Sequence, residues 1–330
     1  MTLVLRRSRN LQILKLDFRL LPEKCYETCC HWTQMLMDRV EKEGLFELVV
    51  KGDKALDEGM EERVCRFESV SSLGLSTSFE PNKRIFEQEF PNLDRMEIVC
   101  GLEMVEPLNY YKFLERKNRK LRKVIFRAEG SIILGSCCFL CGKLKNDPKE
   151  KYGFTELLKE RGTHMRSLEI KNSFLCESKF YRFDVAVLPK LRKISIDNCK
   201  GTSTCDMLLR ATNCPQLREV YINNLKLTEP EVIEGIFMNC YEIREITLIF
   251  QRGDCTKTFN KGLNNIIAKI MRKYARFMPL PLCIFNHLKK ISVSNLNSES
   301  IDLFRQINAI DYDVYSKFQV FEAKTGKRLL

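Results

Sequence analysis

Long apolar runs are absent from this chain. No stretch reaches the roughly 18 residues that a spanning helix needs, so a helical membrane span is not expected. The charged fraction of 30% and mean hydropathy of -0.25 agree with that. Glycine and proline are scarce, 15 and 10 in 330 residues, which excludes collagen-like and low-complexity classes. Histidine is scarcer still. His31, His164 and His287 are the only three, and none falls in a nucleophile elbow or a zinc-protease helix. No phosphate-cradling G-x-x-x-x-G-K-[ST] and no G-x-G-x-x-G occurs, and the Glu61/Glu62 pair reads as solvated helix surface. A non-catalytic protein without cofactor is the expectation.

Secretory features are missing as well. The opening residues carry Arg6, Arg7 and Arg9 but no apolar stretch long enough for a signal, and no Asn-x-Ser/Thr sequon occurs. The 15 cysteines are odd in number and too dilute for a disulfide scaffold. Together these point to a reducing compartment, cytoplasmic or nuclear, with packed free thiols. Cys138-x-x-Cys141 has a zinc-ligand spacing, and Cys25, Cys29, Cys30 and His31 cluster elsewhere. A single C-x-x-C lacks the second ligand pair that structural zinc needs, and no metal is expected.

What the chain does have is apolar bulk, with 21 Phe and abundant Leu and Ile, and an uneven charge. Residues 1–100 hold 15 basic and 18 acidic side chains, a net of -3. The remaining 40 basic and 25 acidic residues, from totals of 55 and 43, give residues 101–330 a net of +15. An anionic partner is therefore sought in the C-terminal two-thirds.

The apolar residues repeat. Met165/Leu168/Ile170, Leu191/Ile194/Ile196, Leu217/Val220/Ile222 and Ile243/Ile246/Leu248 follow one another at a spacing of 26 residues. The same template fits Leu11/Leu14/Leu16, Leu45/Leu48/Val50, Leu93/Met96/Ile98, Leu121/Val124/Phe126 and Leu288/Ile291/Val293 at longer intervals. Each segment predicts a short strand whose alternate apolar residues point into a core. The chain between strands should return as helices or loops. Thr228-Glu229-Pro230-Glu231 predicts a helix N-terminus capped by Thr228, with Val232, Ile233, Ile236 and Phe237 as its apolar face. Ser203 to Leu209 predicts a shorter helix start. Residues 264–278 predict a basic amphipathic helix with Ile266, Ile267, Ile270, Met271 and Tyr274 on one side. Ser69 to Asn82, rich in Ser, reads as a loop, and Phe318 to Leu330 as a terminal strand and turn.

With Cys199 three residues after Ile196, the pattern L-x-x-L-x-L-x-x-C/N resembles leucine-rich-repeat proteins of the ribonuclease-inhibitor-like and cysteine-containing subclass. That subclass is common in F-box substrate receptors of ubiquitin ligases, although no F-box is recognisable in this chain. The resemblance implies an α/β solenoid, curved, with a parallel β-sheet on the concave face and helices and loops on the convex face. It implies one domain over residues 1–330, with about nine irregular repeats over 11–296 and a terminal cap at 297–330.

Candidate binding residues follow from the repeat register. The position after the first apolar residue is Gln12, Phe46 and Asp94, then Arg122, Arg166, Arg192, Arg218, Arg244 and Lys289. The next position adds Lys123, Lys193 and Lys290, but also Glu219 and Glu245. Stacked strands lie about 4.8 Å apart, so such a column repels itself unless acids or a bound anion neutralise it. Neutralisation by Glu219 and Glu245 is one reading. The other is a grip on an acidic or phosphorylated protein partner, with Tyr221 as an aromatic anchor on the concave face. Further basic runs lie at 116–127 and around Lys269, Arg272, Lys273 and Arg276. The expected function is a protein–protein interaction module. The F-box resemblance adds the substrate-recognition part of a ligase adaptor, with ligase core subunits as partners. The alternative is a basic scaffold for nucleic acid or phosphorylated ligands.

Overall fold

Strand after strand in this protein is launched by the same small turn. The computed structural model describes residues 12–17, 45–51, 66–77, 88–100, 120–128, 164–171, 188–198, 214–225, 227, 230–240, 242–251, 255–274, 287–309 and 318–330. Three residues before the first apolar strand position stands another buried residue: Phe67, Phe90, Leu188, Cys214 or Cys240. Its carbonyl accepts the N–H three residues on, as in Phe90 to Leu93 (3.1 Å), Leu188 to Leu191 (3.1 Å), Cys214 to Leu217 (3.0 Å) and Cys240 to Ile243 (3.2 Å). Pro91, Pro189 and Pro215 occupy the second position of three of these turns, where a fixed φ favours them. The turn buries one side chain, reverses the chain and releases it into a strand.

The chain forms two compact units. One comprises Met1–Met165 with Asn172–Phe174, and the other Arg166–Lys171 with Leu175–Leu330. The described strands of the first unit are β1 (Ile13–Asp17), β2 (Glu47–Lys51), β3 (Ser72–Thr77), β4 (Arg95–Cys100) and β5 (Lys123–Ala128). Each pairs in parallel with the next, and the register places Leu14, Leu48, Leu73, Met96 and Val124 side by side. All five side chains are buried. Strand β3 corrects the loop read at Ser69 to Asn82. Val70, Leu73 and Leu75 repeat the apolar template and are buried, while the serines between them had the look of a loop. Residues 78–82 lie outside the described residues.

The second unit contains β6 (Ser167–Lys171), β7 (Lys193–Asp197), β8 (Glu219–Leu225), β9 (Glu245–Phe250), β10 (Lys290–Val293) and β11 (Gln319–Glu322), again parallel and in chain order. Leu168, Ile194, Val220, Ile246, Ile291 and Val320 are aligned and buried. Asn198 (φ 50°), Asn224 (φ 64°) and Asn295 (φ 58°) stand just after the inner strand residues, in the left-handed region that Asn tolerates better than most side chains. At Asn198 and Asn295 the chain leaves the strand, while Asn224 lies within β8 at a register shift between Asn223 and Leu225. Cys199, Ser203 to Leu209 and Thr228 lie outside the described residues. Leu225, at the repeat position equivalent to Cys199, is fully buried.

Three helices are described in this unit: α1 (Glu231–Asn239), α2 (Cys255–Tyr274) and α3 (Ser298–Ala309). Val232, Ile233, Ile236 and Phe237 of α1 are buried, as their spacing predicted. Its N-cap is Pro230, where no side chain makes a capping hydrogen bond. Helix α2 starts nine residues earlier than expected, and its buried stripe is Phe259, Leu263, Ile266 and Ile270. Met271 is 55% exposed, because it follows Ile270 by one residue and so turns about 100° away from that stripe. Residues 275–278 lie outside the described residues. Phe250 of β9 meets Phe259, which meets Phe304 of α3, which meets Phe318, at centroid distances of 5.5, 6.0 and 6.0 Å. This aromatic chain joins strand end, two helices and the start of β11 in one core. The segment from Phe318 does form a strand and turn, with Gly326 at φ 68° and Phe321 bridged to Arg328.

Candidate binding face

The residue between turn and strand is the one the repeat exposes. Within the second unit the Arg192 N–H donates to the Arg166 carbonyl, Arg218 to Arg192, Arg244 to Arg218 and Lys289 to Arg244, each at 2.8 Å. The same carbonyls accept from Lys193, Glu219, Glu245 and Lys290 at 2.9 to 3.1 Å. Backbone bonding therefore holds Arg166, Arg192, Arg218, Arg244 and Lys289 in one row along the strand starts. Four are exposed and Arg218 is half-buried.

Their charges are not equally compensated. Arg218 Nε and an Nη converge on one oxygen of Glu242, at 3.0 and 2.8 Å. Arg166, Arg192, Arg244 and Lys289 have no ion pair among the described residues. One step into the strand, charges cancel. Lys193 pairs with Glu219 at 3.2 Å, and Glu245 stands opposite Lys290 in register. The Lys290 ammonium also lies 5.2 Å from the Phe321 ring centroid, within cation–π range. Glu219 thus pairs with a lysine of its own row, and Glu245 has no ion pair among the described residues.

The sheet face opposite the apolar row carries Glu169, Ser195, Tyr221, Thr247, Ser292 and Phe321 in one register row, of which Glu169, Ser195 and Ser292 are buried and the other three half-buried. Tyr221 is half-buried, and burial, helped by the nearby Asp197 carboxylate, pushes its phenol above the ordinary value. Asp197 accepts a hydrogen bond from Asn223 at 2.8 Å, and Lys171 reaches Glu169 at 3.9 Å. The face is mixed, while the rim beside it is purely basic.

The first unit carries Arg122 and Lys123 at the same repeat positions. Its rim is also laddered, Phe46 to Gln12, Ser71 to Phe46, Asp94 to Ser71 and Arg122 to Asp94 at 2.9 to 3.0 Å. Here the row is mixed. Arg122 pairs with Asp94, which holds its guanidinium above the ordinary value through a side-chain hydrogen bond and charge attraction. Phe46 and Ile13 are 57% and 49% exposed, uncharged members of that surface.

Of the sequence candidates, the structure brings Arg166, Arg192, Lys193, Arg218, Tyr221, Arg244 and Lys289 together in the second unit, and Arg122 and Lys123 in the first. Sequence reasoning missed Glu242 and Asp197, the acids that partner Arg218 and Asn223. The repeat offset was the available signal, since Asn223 follows Asp197 by 26 residues. The cysteine clusters at Cys25–His31 and Cys137–Cys141 lie outside the described residues. Among the described residues no three His, Cys, Asp or Glu gather as a metal site, and no helix is long and apolar enough to cross a membrane. No protein-family model and no curated protein matches this chain.

Proposed function

We propose that this chain is a leucine-rich-repeat recognition module that binds an acidic or phosphorylated protein partner and catalyses nothing itself. The observation that carries this reading is the row of five basic residues on consecutive strand starts, four of them without an ion pair among the described residues. Like charges on neighbouring strands lie about 5 Å apart and cost free energy until an anion compensates them. The mixed face alongside, with Tyr221, offers the aromatic and hydrogen-bonding contacts that protein interfaces favour. The resemblance to F-box receptors extends the reading to the substrate-receiving part of a ubiquitin ligase adaptor.

A second reading takes its support from the same charge. A basic row also suits the phosphates of a nucleic acid, whose binding weakens steeply with salt. Charge reversal separates the two. Arg192→Glu with Arg244→Glu should abolish capture of the protein partners that the unmodified chain retains, with folding intact by circular dichroism. Retention of the same partners by the double variant refutes the recognition reading. Affinity for arbitrary single-stranded RNA at low salt, lost in that variant, replaces it with the scaffold. Recovery of ligase core subunits is the expected outcome of the adaptor extension, and their absence removes it.

A further inference from the structure

The rim cations without an ion pair among the described residues are not evenly spread. In strand order the row is Arg166, Arg192, Arg218, Arg244, Lys289. The middle member is neutralised by Glu242. Among the described residues this leaves without an ion pair a doublet on β6 and β7 and a second doublet on β9 and β10. The row just inside adds no net negative charge, with Lys193 paired to Glu219 and Glu245 beside Lys290 in register. Each doublet places two cations on adjacent strands, about 5 Å apart, a separation that lets both reach one phosphate dianion. The doublet centres lie three strand spacings apart, about 14 Å.

From this grouping we infer that the second unit reads a doubly phosphorylated, extended peptide segment with phosphoryl groups four residues apart. An extended chain advances about 3.3 Å per residue, so positions i and i+4 span about 13 Å, close to the doublet separation. A spacing of two residues spans about 6.6 Å and seats only one group. A phosphoserine or phosphothreonine carries close to two negative charges and three acceptor oxygens, matching a cation pair better than a single carboxylate does. The neutral Arg218–Glu242 pair lies under the middle of such a segment, where an uncharged residue fits. This inference rests on the reading of the rim as a site for an acidic or phosphorylated protein.

The test uses the full chain and fluorescent peptide libraries with degenerate flanks, read by fluorescence anisotropy. The libraries carry two phosphoserines at i,i+2, at i,i+4 or at i,i+6, one phosphoserine, or none. The i,i+4 library should bind on the order of tenfold tighter than the i,i+2 and single-phosphate libraries, the equivalent of about 1.4 kcal/mol. Arg192→Glu and Arg244→Glu should each reduce it to the single-phosphate level, while Arg305→Ala, on α3 and paired with Asp302 away from the rim, should keep the spacing preference. Equal binding at all spacings overturns the two-doublet inference and leaves the acidic-partner reading standing. No binding of any phosphorylated library, even at low salt, overturns both. Tighter binding of arbitrary single-stranded RNA than of every library overturns the inference in favour of the nucleic-acid scaffold.

Discussion

Replacing Gly262 by alanine sets two effects of opposite sign against each other, and the structure decides between them. Inside a helix, alanine is favoured over glycine by about 1 kcal/mol, so propensity alone makes the change stabilising. Gly262 lies where α2 crosses the start of α1. A Cβ there would stand 2.9 Å from the Pro230 carbonyl oxygen and 3.0 Å from Ile233 Cβ. The oxygen cannot swing aside cheaply, because it accepts the Ile233 and Glu234 N–H groups at 3.1 and 3.2 Å and so opens helix α1. Nor can Ile233, which is fully buried. Overpacking of this kind costs typically about 1–3 kcal/mol, so the expected net loss is about 1 kcal/mol. Gly262→Val, larger and β-branched, should lose more. Asn264→Ala, exposed on the same helix, should be neutral or slightly stabilising. Urea denaturation followed by circular dichroism gives the stabilities, and amide exchange in α1 reports the local strain. A Gly262→Ala protein as stable as the unmodified chain, with α1 exchange unchanged, refutes the argument that this helix crossing leaves no room for a methyl group.

Two further expectations concern ionisable groups in the same unit. Burial alone would raise Glu234, but hydrogen bonds from Lys269 and Asn265, and the Lys269 charge, hold its carboxyl below the ordinary 4.5. A folded-state value depressed in this way contributes stability above the unfolded value, and that contribution is lost as pH falls through the folded value. Glu234→Gln should therefore lower stability at neutral pH and flatten its decline in acid, measured by denaturation at several pH values; an unchanged acid limb counts against the contact. Burial pushes Cys240 and Cys214 up to about 12, Cys214 also through its neighbour Cys240. Both thiols should resist alkylation in the native protein at pH 8 and react once it is unfolded, as peptide mass spectrometry would show. Native labelling of either contradicts their placement in the core.

The strand register was legible because it rests on a local rule. A residue three before another two-residue alternation, L-x-x-L-x-L, must be apolar wherever strands stack over a core, whatever the rest of the chain does. Strand β3 obeys the same rule through Val70, Leu73 and Leu75, but the serines around it carried a competing loop signal. The turn residues Phe67, Phe90, Leu188, Cys214 and Cys240 were harder to see, since their chemistry varies while only their burial is shared. The buried stripe of α2 runs through Phe259, Leu263, Ile266 and Ile270, and the exposure of Met271 follows from the helical phase that this stripe sets.

By itself, then, the sequence determined which residues face inward, where most strands lie and which rim positions are basic, because alternation and repeat spacing are properties of the chain. Only the tertiary structure decided which acid pairs with which of those basic residues. Glu242 is 24 residues from Arg218, and Lys193 is 26 from Glu219, and nothing local says which acid will reach which cation. Pairing depends on distances of a few ångströms between neighbouring turns, and the energy of a charge changes over that same length. The same holds for Gly262, whose role comes from the Pro230 carbonyl packed against it.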